Sequence, residues 1–309
     1  MKCKQPCIFL DINLFNWFII QKRILTFLLA SCVSFISINV MALTCSDNLT
    51  KNTVESNNYI FQIIDYIDSP IKDIKQEIRI STTKLGSDSD DVSSMTAKHT
   101  LTYDSNGLIT QSHYDLYSEK NIRIYSEHLQ KNKSGWENII EDVEDKTNSI
   151  IQFSTDEQGK IVVSQQTKKA ADFVFIETDN YLYDTNNCLI NKNVQWQLKE
   201  INENGQYTRT EQKGGSTYTF EYQNQQLSKV LYQFSNNMKN ESDFSYQYDN
   251  EHHRLISIDS SYLSAGKEAA HYTTKFLTFN EKNDWLTVTK VKNNQYGKQT
   301  TVTRELTYY

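Results

Sequence analysis

The chain is poor in the residue types whose abundance would indicate several special fold classes. Two prolines and nine glycines among 309 residues exclude a collagen-like chain and a disordered chain rich in these residues. Five cysteines are too few for a scaffold built on disulfides, and no Cys-x-x-Cys pair indicates a zinc or redox site. What remains is a globular chain that is long enough to bury a sizeable core.

Aromatic residues are abundant. They make up 12% of the chain, with 19 Tyr and 14 Phe, although hydrophobic residues of all kinds reach only 38%. Aromatic side chains bury large areas and favour the pleated surface of a sheet. This composition favours a mainly β protein over a bundle of helices.

The charge of the chain argues against two classes of partner. Its formal net charge is −6, and the first 42 residues carry four basic residues and one acidic residue. Without these 42 residues, 28 Lys and Arg face 37 Asp and Glu, which gives −9. Nucleic acids and anionic membrane surfaces attract basic proteins, so we expect neither as a partner.

Residues 1–42 are predicted to be an N-terminal extension and a signal peptide. Lys22 and Arg23 form a basic start, residues 24–40 are largely apolar, and the small residue Ala42 completes a cleavage context. We expect cleavage after Ala42, and therefore a periplasmic or secreted protein.

Three features of this region leave alternatives open. Residues 29–32, Leu-Ala-Ser-Cys, resemble the box of bacterial lipoproteins, in which Cys32 would be lipidated and anchored to the outer membrane. The apolar stretch is also about as long as the shortest segment that spans a bilayer. Residues 1–20 are either an unusual extension or the product of an upstream start that the cell does not use.

Cleavage after Ala42 would leave two cysteines, Cys45 and Cys188. Two remaining cysteines tend to pair in an oxidising compartment, so we predict a disulfide between them. It would fix the N-terminus to the middle of the sheet. Two isolated buried thiols are the alternative.

A short phrase recurs along the rest of the chain. An aromatic residue ends a strand, an Asp or Asn starts a turn, a Gly or Asn tolerates positive φ, and an apolar residue opens the return strand. Each phrase predicts a β-hairpin, and the series predicts an antiparallel meander. The copies contain Tyr103, Asp104 and Gly107; Phe153, Asp156 and Gly159; Tyr183, Asp184 and Asn187; Tyr222; Tyr248 and Asp249; and Phe279, Asn283 and Trp285.

The segments around these phrases agree with a sheet. Residues 216–224 place Tyr218, Phe220 and Tyr222 on one face, residues 227–234 read as the return strand, and residues 300–309 read as a closing strand. The fold class expected is mainly β: a meander of hairpins forming an open, curled or barrel-like sheet.

One segment shows helical spacing. Thr53 to Ile67 carries isoleucines at helical intervals before Pro70, which predicts one N-terminal helix, with a strand as the alternative. We therefore divide the chain into the leader 1–42, an N-terminal segment 43–97 with a possible helix, and a repeat domain 98–309.

The recurring phrase resembles the tyrosine-aspartate (YD) repeats of the rearrangement-hotspot (RHS) superfamily, in degenerate form over residues 98–309. Tyr103, Asp104 and Gly107 belong to the most complete copy, whereas Gln223 and Asn280 replace the Asp elsewhere. The ending also resembles that of small exported bacterial proteins with similar repeats. The resemblance implies a sheet of hairpins and, by analogy, an immunity or accessory protein of an interbacterial toxin system.

The sequence carries no recognisable catalytic constellation. The densest group of potential metal ligands, His252 and His253 with Asp249 and Glu251, falls in a predicted turn, where neighbouring side chains point apart. We expect no metal, no cofactor and no catalytic residues. The first hypothesis is a non-enzymatic envelope protein that binds a protein or a glycan. A hydrolase that uses two dispersed carboxylates is a further alternative, because such pairs leave no local motif.

Overall fold

The computed structural model describes nine stretches of the chain: 43–61, 73–85, 93–132, 135–143, 146–202, 206–235, 238–251, 254–292 and 298–309. Several predicted features lie outside the described residues. These are the leader 1–42 with Cys32, the isoleucines and proline between 62 and 70, and the pair His252–His253.

The described residues form one helix and sixteen strands. In chain order they are α1 (Leu49–Ile60), β1 (Ile74–Leu85), β2 (Ser93–Tyr103), β3 (Ile109–Tyr117), β4 (Arg123–Asn132), β5 (Gly135–Asp142), β6 (Thr147–Thr155), β7 (Ile161–Lys169), β8 (Phe173–Tyr183), β9 (Leu189–Ile201), β10 (Tyr207–Gln223), β11 (Gln226–Phe234), β12 (Lys239–Tyr248), β13 (Leu255–Ser264), β14 (Lys267–Phe279), β15 (Trp285–Lys292) and β16 (Lys298–Tyr308).

The strands form a closed antiparallel barrel. Each strand pairs with the next along the chain, and β16 pairs with β1 to complete the circle. This closing ladder runs from Ile74 opposite Tyr308 to Leu85 opposite Lys298. The prediction of a mainly β fold with a barrel-like sheet and one N-terminal helix is confirmed, and closure removes the exposed edges that an open sheet would present.

The barrel begins earlier in the chain than the repeat phrase indicates. Strand β1 and the first part of β2 precede residue 98, where we placed the start of the repeat domain. The physical reason is that β1 finds one of its two partners, β16, at the opposite end of the chain. A local turn phrase carries no signal for a pairing of this kind.

Helix α1 differs from its prediction in position and in the character of its buried face. It starts at Leu49, where the side chain of the N-cap residue Asn48 accepts a hydrogen bond from the amide of Lys51. Its buried positions are Asn52, Ser56, Asn57, Asn58 and Ile60, so four of the five are polar. A search for apolar periodicity therefore placed the helix too late. In the described parts of the chain, no helix has the length and apolar character needed to span a membrane.

The helix defines the two ends of the barrel. It contacts the turns after β2, β6 and β8. These turns lie at the same end of the barrel, because neighbouring strands run in opposite directions. We call this end the helix end. The odd-numbered strands end at the opposite, far end. A core of apolar residues fills the helix end, with Phe61 packed against Trp136 and Phe153. A second, smaller cluster around Ile258 and Val288 lies on β13 to β16.

Candidate functional site

The repeat turns have one shared geometry at the helix end. In the turn after β2, the carboxylate of Asp104 accepts hydrogen bonds from the amides of Asn106 and Leu108, and Gly107 has φ of 84°. The turns that begin at Asp156, Asp184 and Asn280 repeat the same two bonds, with positive φ at Gly159, Asn187 and Asn283. The role assigned to Asp or Asn and to Gly or Asn in the phrase therefore holds in these four copies.

The aromatic residue of the phrase joins consecutive hairpins. The hydroxyl of Tyr183 donates to the carbonyl of Ile161, just past the preceding turn, at 2.6 Å. Tyr222 donates in the same way to Leu189, at 2.7 Å. These two phrases are thus tied to the ones before them.

Two copies depart from the expected pattern. The fourth turn places positive φ at Asn224 and Gln225 rather than at Gln226, because this hairpin has a two-residue loop. In the fifth copy Tyr246 donates to the preceding hairpin, at the carbonyl of Leu227, whereas Tyr248 is 42% exposed.

The N-terminal segment covers the helix end. Cys45 and Cys188 form a disulfide with their Cα atoms 5.3 Å apart, as predicted. The amide of Leu227 donates to the carbonyl of Leu43, which adds a short backbone contact with β11. Cys188, which is buried, lies in the turn between β8 and β9.

Two buried asparagines of α1 dock the helix onto the repeat turns. Asn58 donates from Nδ2 to the carbonyl of Gly107 at 2.9 Å and accepts from the amide of Ile109 at 3.0 Å. Asn57 makes the equivalent pair of bonds with Gly159 and Ile161, at 2.7 and 2.9 Å. The helix thus satisfies backbone groups that burial would otherwise leave without partners. This end of the barrel is closed by specific bonds.

A buried ionic cluster lies inside the seam where the barrel closes. Arg79 on β1 faces Arg304 on β16, and Glu77 contacts both guanidinium groups, each at 2.5 Å. The hydroxyl of Tyr103 also donates to Glu77. Burial raises the pKa of Glu77, but Arg304 and Arg79 lower it by more, so that its pKa falls to about 2. Glu77 therefore stays ionised and holds the first and last strands together.

Glu127 is also a buried carboxyl group, but its pKa is shifted in the opposite direction. It lies on β4 and receives hydrogen bonds from Asn138 Nδ2 at 2.6 Å and from the hydroxyl of Tyr125 at 3.2 Å. Burial raises the pKa of Glu127 to about 7, and the bonds from Asn138 and Tyr125 offset only part of this.

A third polar group lies on β8 and β9. Lys192 Nζ contacts Asp179 at 2.7 Å and lies within 6 Å of the rings of Tyr181 and Tyr218. Glu177 and Asp179 line a cavity of about 10 Å³ beneath α1, which has room for at most one water molecule. This cavity does not provide the substrate cleft that the hydrolase alternative requires.

The far end of the barrel presents a different inner surface. Strand register and burial place five aromatic side chains on the inner face of β8 to β14, near the far-end turns, and each is half-buried. We call these residues the far-end wall: Phe175, Trp196, Phe234, Tyr262 and Tyr272. They contrast with Tyr103, Phe153 and Trp136 at the helix end, which are all buried. The wall therefore retains aromatic area that a partner can cover.

Trp196 is held at a defined position in this wall. Its ring stacks on Phe175, with centroids 6.2 Å apart and an interplanar angle of 28°. On β10 the opposite residue is Gly214, where a Cβ atom would lie 2.4 Å from Trp196 Cζ2. The glycine makes room for the indole to lie across the sheet. Further along the same inner face, the rings of Tyr232 and Tyr262 are 6.3 Å apart.

Comparison with known proteins gives little beyond the fold. No family model and no curated protein matches the chain. A porin-like protein from Bacteroides uniformis is 15% identical over 74% of this chain and 97% of its own, with a TM-score of 0.41. A putative outer membrane lipoprotein-sorting protein domain from Vibrio parahaemolyticus is 10% identical over 76% and 85%, with a TM-score of 0.32. A DUF1329 family protein from Desulfovibrio piger is 7% identical over 84% and 93%, with a TM-score of 0.27. At TM-scores below 0.5 these structures carry no information about the function of this chain.

Sequence reasoning identified the residues of the helix end and missed the far-end wall. Phe175, Trp196, Tyr262 and Tyr272 lie in strands but outside the recurring phrase. Alternation shows that such residues share a face with their neighbours at i±2. It does not reveal how far each lies from α1, which decides whether a ring is buried or half-exposed.

Proposed function

We propose that this protein is an exported, non-enzymatic barrel that binds its partner on the far-end wall. The observation that carries the proposal is the half-exposed indole of Trp196, stacked on Phe175 and seated over Gly214. A tryptophan held in this way offers a rigid apolar surface with a polar N–H edge. Such side chains lose little conformational entropy on binding and frequently dominate binding energy.

The shape of the barrel supports binding at this end. At the helix end, α1 and the disulfide cover the interior, and Phe61 fills the space between Trp136 and Phe153. Towards the far end, the five rings of the wall described above are half-buried. A partner that offers an apolar or aromatic group, whether from a protein or a glycan, would cover rings that now contact water.

The outer face of the barrel supports a location in water. Lys229 on β11 pairs across the outer face with Asp243 at 3.3 Å and with Glu241 at 3.5 Å, in the middle of two strands. Membrane barrels instead present an apolar band to lipid, where charged side chains are costly. We therefore propose that the strands face solvent in the periplasm or outside the cell.

The proposed export is supported by the disulfide and by the leader sequence. A bond between Cys45 and Cys188 persists in an oxidising compartment. Mass spectrometry of the mature protein tests the route of export. Cleavage after Ala42 gives an N-terminus at Leu43, whereas lipidation gives a diacylated Cys32. Recovery of the uncleaved chain from the reducing cytoplasm would contradict export.

The binding experiment uses N-phenyl-1-naphthylamine, a neutral aromatic dye whose emission rises in apolar sites. We expect saturable binding to the protein purified after export. Trp196→Ala and Tyr262→Ala should each weaken it about tenfold, which corresponds to about 1.4 kcal/mol per anchor residue. Gly214→Ala should also weaken it, because the new Cβ displaces the indole.

The matched control is Tyr248→Ala, which removes an exposed ring at the helix end. Its affinity for the dye should stay within about twofold of wild type, which corresponds to a change in binding free energy of about 0.4 kcal/mol or less. Circular dichroism verifies that each variant is folded. Equal binding by wild type, Trp196→Ala and Tyr262→Ala would contradict the proposal.

A further inference from the structure

The inner face of β13 to β15 carries two lysines beside the far-end wall. Lys292 lies directly opposite Tyr272, and Lys290 lies directly opposite Thr274. Both ammonium groups are near the Tyr272 ring, with Nζ to centroid distances of 5.2 Å for Lys290 and 5.8 Å for Lys292. Two cations thus converge on one ring that also belongs to the wall.

Two buried hydroxyl groups lie on the same face, next to these lysines. Ser260 is the cross-strand partner of Tyr272 and is 2% exposed, and Thr274 is 0% exposed. Neither Ser260 Oγ nor Thr274 Oγ1 makes a hydrogen bond in the described part of the structure. Buried hydroxyls normally have a partner, so these two indicate a missing acceptor. Directly opposite side chains in a sheet lie about 5 Å apart, so the Thr274 hydroxyl and the Lys290 ammonium group can reach one ligand. Ser260 lies one strand further away, opposite Tyr272.

A second pair of hydroxyl groups lies on the same inner face, on the other side of the lysines. Thr300 on β16 lies opposite Lys290, and its Oγ1 is 3.0 Å from Thr83 Oγ1 on β1. The charge of this sector matches an anion. Arg79 and Arg304 face inward from β1 and β16 and share the carboxylate of Glu77, and Lys290 and Lys292 face inward from β15. This basic sector lies within a chain whose net charge is −6.

We infer that Lys290, Lys292, Ser260 and Thr274 bind an oxyanion, a phosphate or carboxylate group, at the edge of the far-end wall. The inference rests on the proposed binding function and deepens it. The ligand would place an apolar or aromatic part on the Tyr272 ring and its acidic group beside the two lysines. Lysine acts at such a site as a point charge, and the hydroxyls donate the directional bonds.

The first experiment measures the thermal shift that inorganic phosphate produces at constant ionic strength. Wild type should be stabilised in a saturable manner, and Lys292→Gln should weaken phosphate binding at least fivefold. The matched control is Lys275→Gln on β14, whose side chain is exposed on the outer face, and it should bind as wild type does. No saturable shift, or equal shifts in wild type and Lys292→Gln, would overturn the inference.

The hydroxyl groups allow a sharper test. Thr274→Val keeps the shape of the side chain and removes a hydroxyl that has no protein partner, so the variant should fold at least as stably as wild type. Its phosphate affinity should nevertheless fall severalfold, because a donor to the anion is lost. A variant that keeps wild-type phosphate affinity would show that the hydroxyl does not face a ligand.

A third arm separates a free ion from the acidic group of a larger ligand. 1-Naphthyl phosphate should bind at least tenfold more tightly than inorganic phosphate, and Tyr272→Ala should remove this gain, because the Tyr272 ring is the part of the wall next to the two lysines. Equal affinities would contradict a ligand that spans the wall and the lysines. The two proposals also fail separately: dye binding without phosphate binding overturns only the anion site, and phosphate binding without dye binding overturns only the proposed binding function.

Discussion

The hydroxyl of Tyr222 donates a hydrogen bond to the carbonyl of Leu189, one hairpin earlier, at 2.7 Å. Leu189 is fully buried, so this carbonyl has no access to water. Tyr183 makes the corresponding bond to Ile161, and Tyr246 makes it to Leu227. These three tyrosines thus tie their hairpins to the preceding ones, which gives the recurring phrase a role beyond forming turns.

Tyr222→Phe should lower the free energy of unfolding by about 1–2 kcal/mol, because it leaves the buried carbonyl of Leu189 without this donor. Denaturant titration measures the change. Tyr248→Phe is the matched control: it alters the exposed tyrosine of the next phrase and should cost less than about 0.5 kcal/mol. Equal losses in the two variants would mean that the bond between hairpins contributes nothing.

Asn58→Ala should destabilise the protein by about 2–4 kcal/mol. It removes the two bonds to Gly107 and Ile109 and leaves two buried backbone groups without partners. Asn106→Ala makes the same change at an exposed position of the same turn and should stay within about 0.5 kcal/mol of wild type. Thermal unfolding distinguishes them, and a mild Asn58→Ala variant would show that α1 is held by other contacts.

Removing the disulfide by replacing Cys45 and Cys188 with serine should lower the free energy of unfolding by up to about 4 kcal/mol. The bond closes a loop with a sequence separation of 143, which restricts the unfolded chain. Peptide mapping of the non-reduced protein should recover the two cysteines in one linked peptide. Recovery of both as free thiols from the exported protein would contradict this pairing.

Stability should fall as the pH rises from about 4.5 to about 7. The pKa of Glu127 is about 7 in the folded protein and near the ordinary value of 4.5 when the chain is unfolded, so the folded state binds this proton more tightly. The stabilisation is complete below pH 4.5 and is lost as the pH passes through 7. A pKa difference of this size between the folded and unfolded states corresponds to at most about 3 kcal/mol in the free energy of unfolding.

Glu127→Gln should remove this part of the pH dependence and make the variant relatively more stable at pH 8. Glu177, whose pKa burial and the nearby Asp179 also raise to about 7, would keep its own contribution. Denaturant titrations at pH 5 and pH 8 measure both effects. An unchanged difference between the two pH values in Glu127→Gln would show that this carboxyl does not titrate as described.

The helix-end turns could be predicted from sequence because the relevant interactions are local. Asp104 accepts hydrogen bonds from the amides two and four residues ahead, and position 107 has a positive φ that glycine adopts without strain. The alternation of Tyr218, Phe220 and Tyr222 likewise predicted the hairpin of β10 and β11. Kinship with YD-repeat proteins stays a prediction, because these local features arise from the chemistry of the turn.

The remaining features depend on contacts between distant residues. Glu77 is held by Arg304, which lies 227 positions later in the chain, so no window of sequence contains the pair. The buried face of α1 is polar because Asn57 and Asn58 bond turns that are far away in sequence. The far-end wall was missed for the same reason, since its exposure depends on where α1 covers the barrel.

Hydrogen–deuterium exchange with and without N-phenyl-1-naphthylamine tests the central claim, that the partner binds on the far-end wall, most directly. We expect the dye to slow exchange in peptides covering residues 173–177, 194–198, 212–216, 232–234, 260–264 and 270–274, which surround the wall. Exchange in α1 and in the turns 104–108, 156–160 and 184–188 should not change. Protection confined to α1 and these turns would contradict the account and assign binding to the helix end.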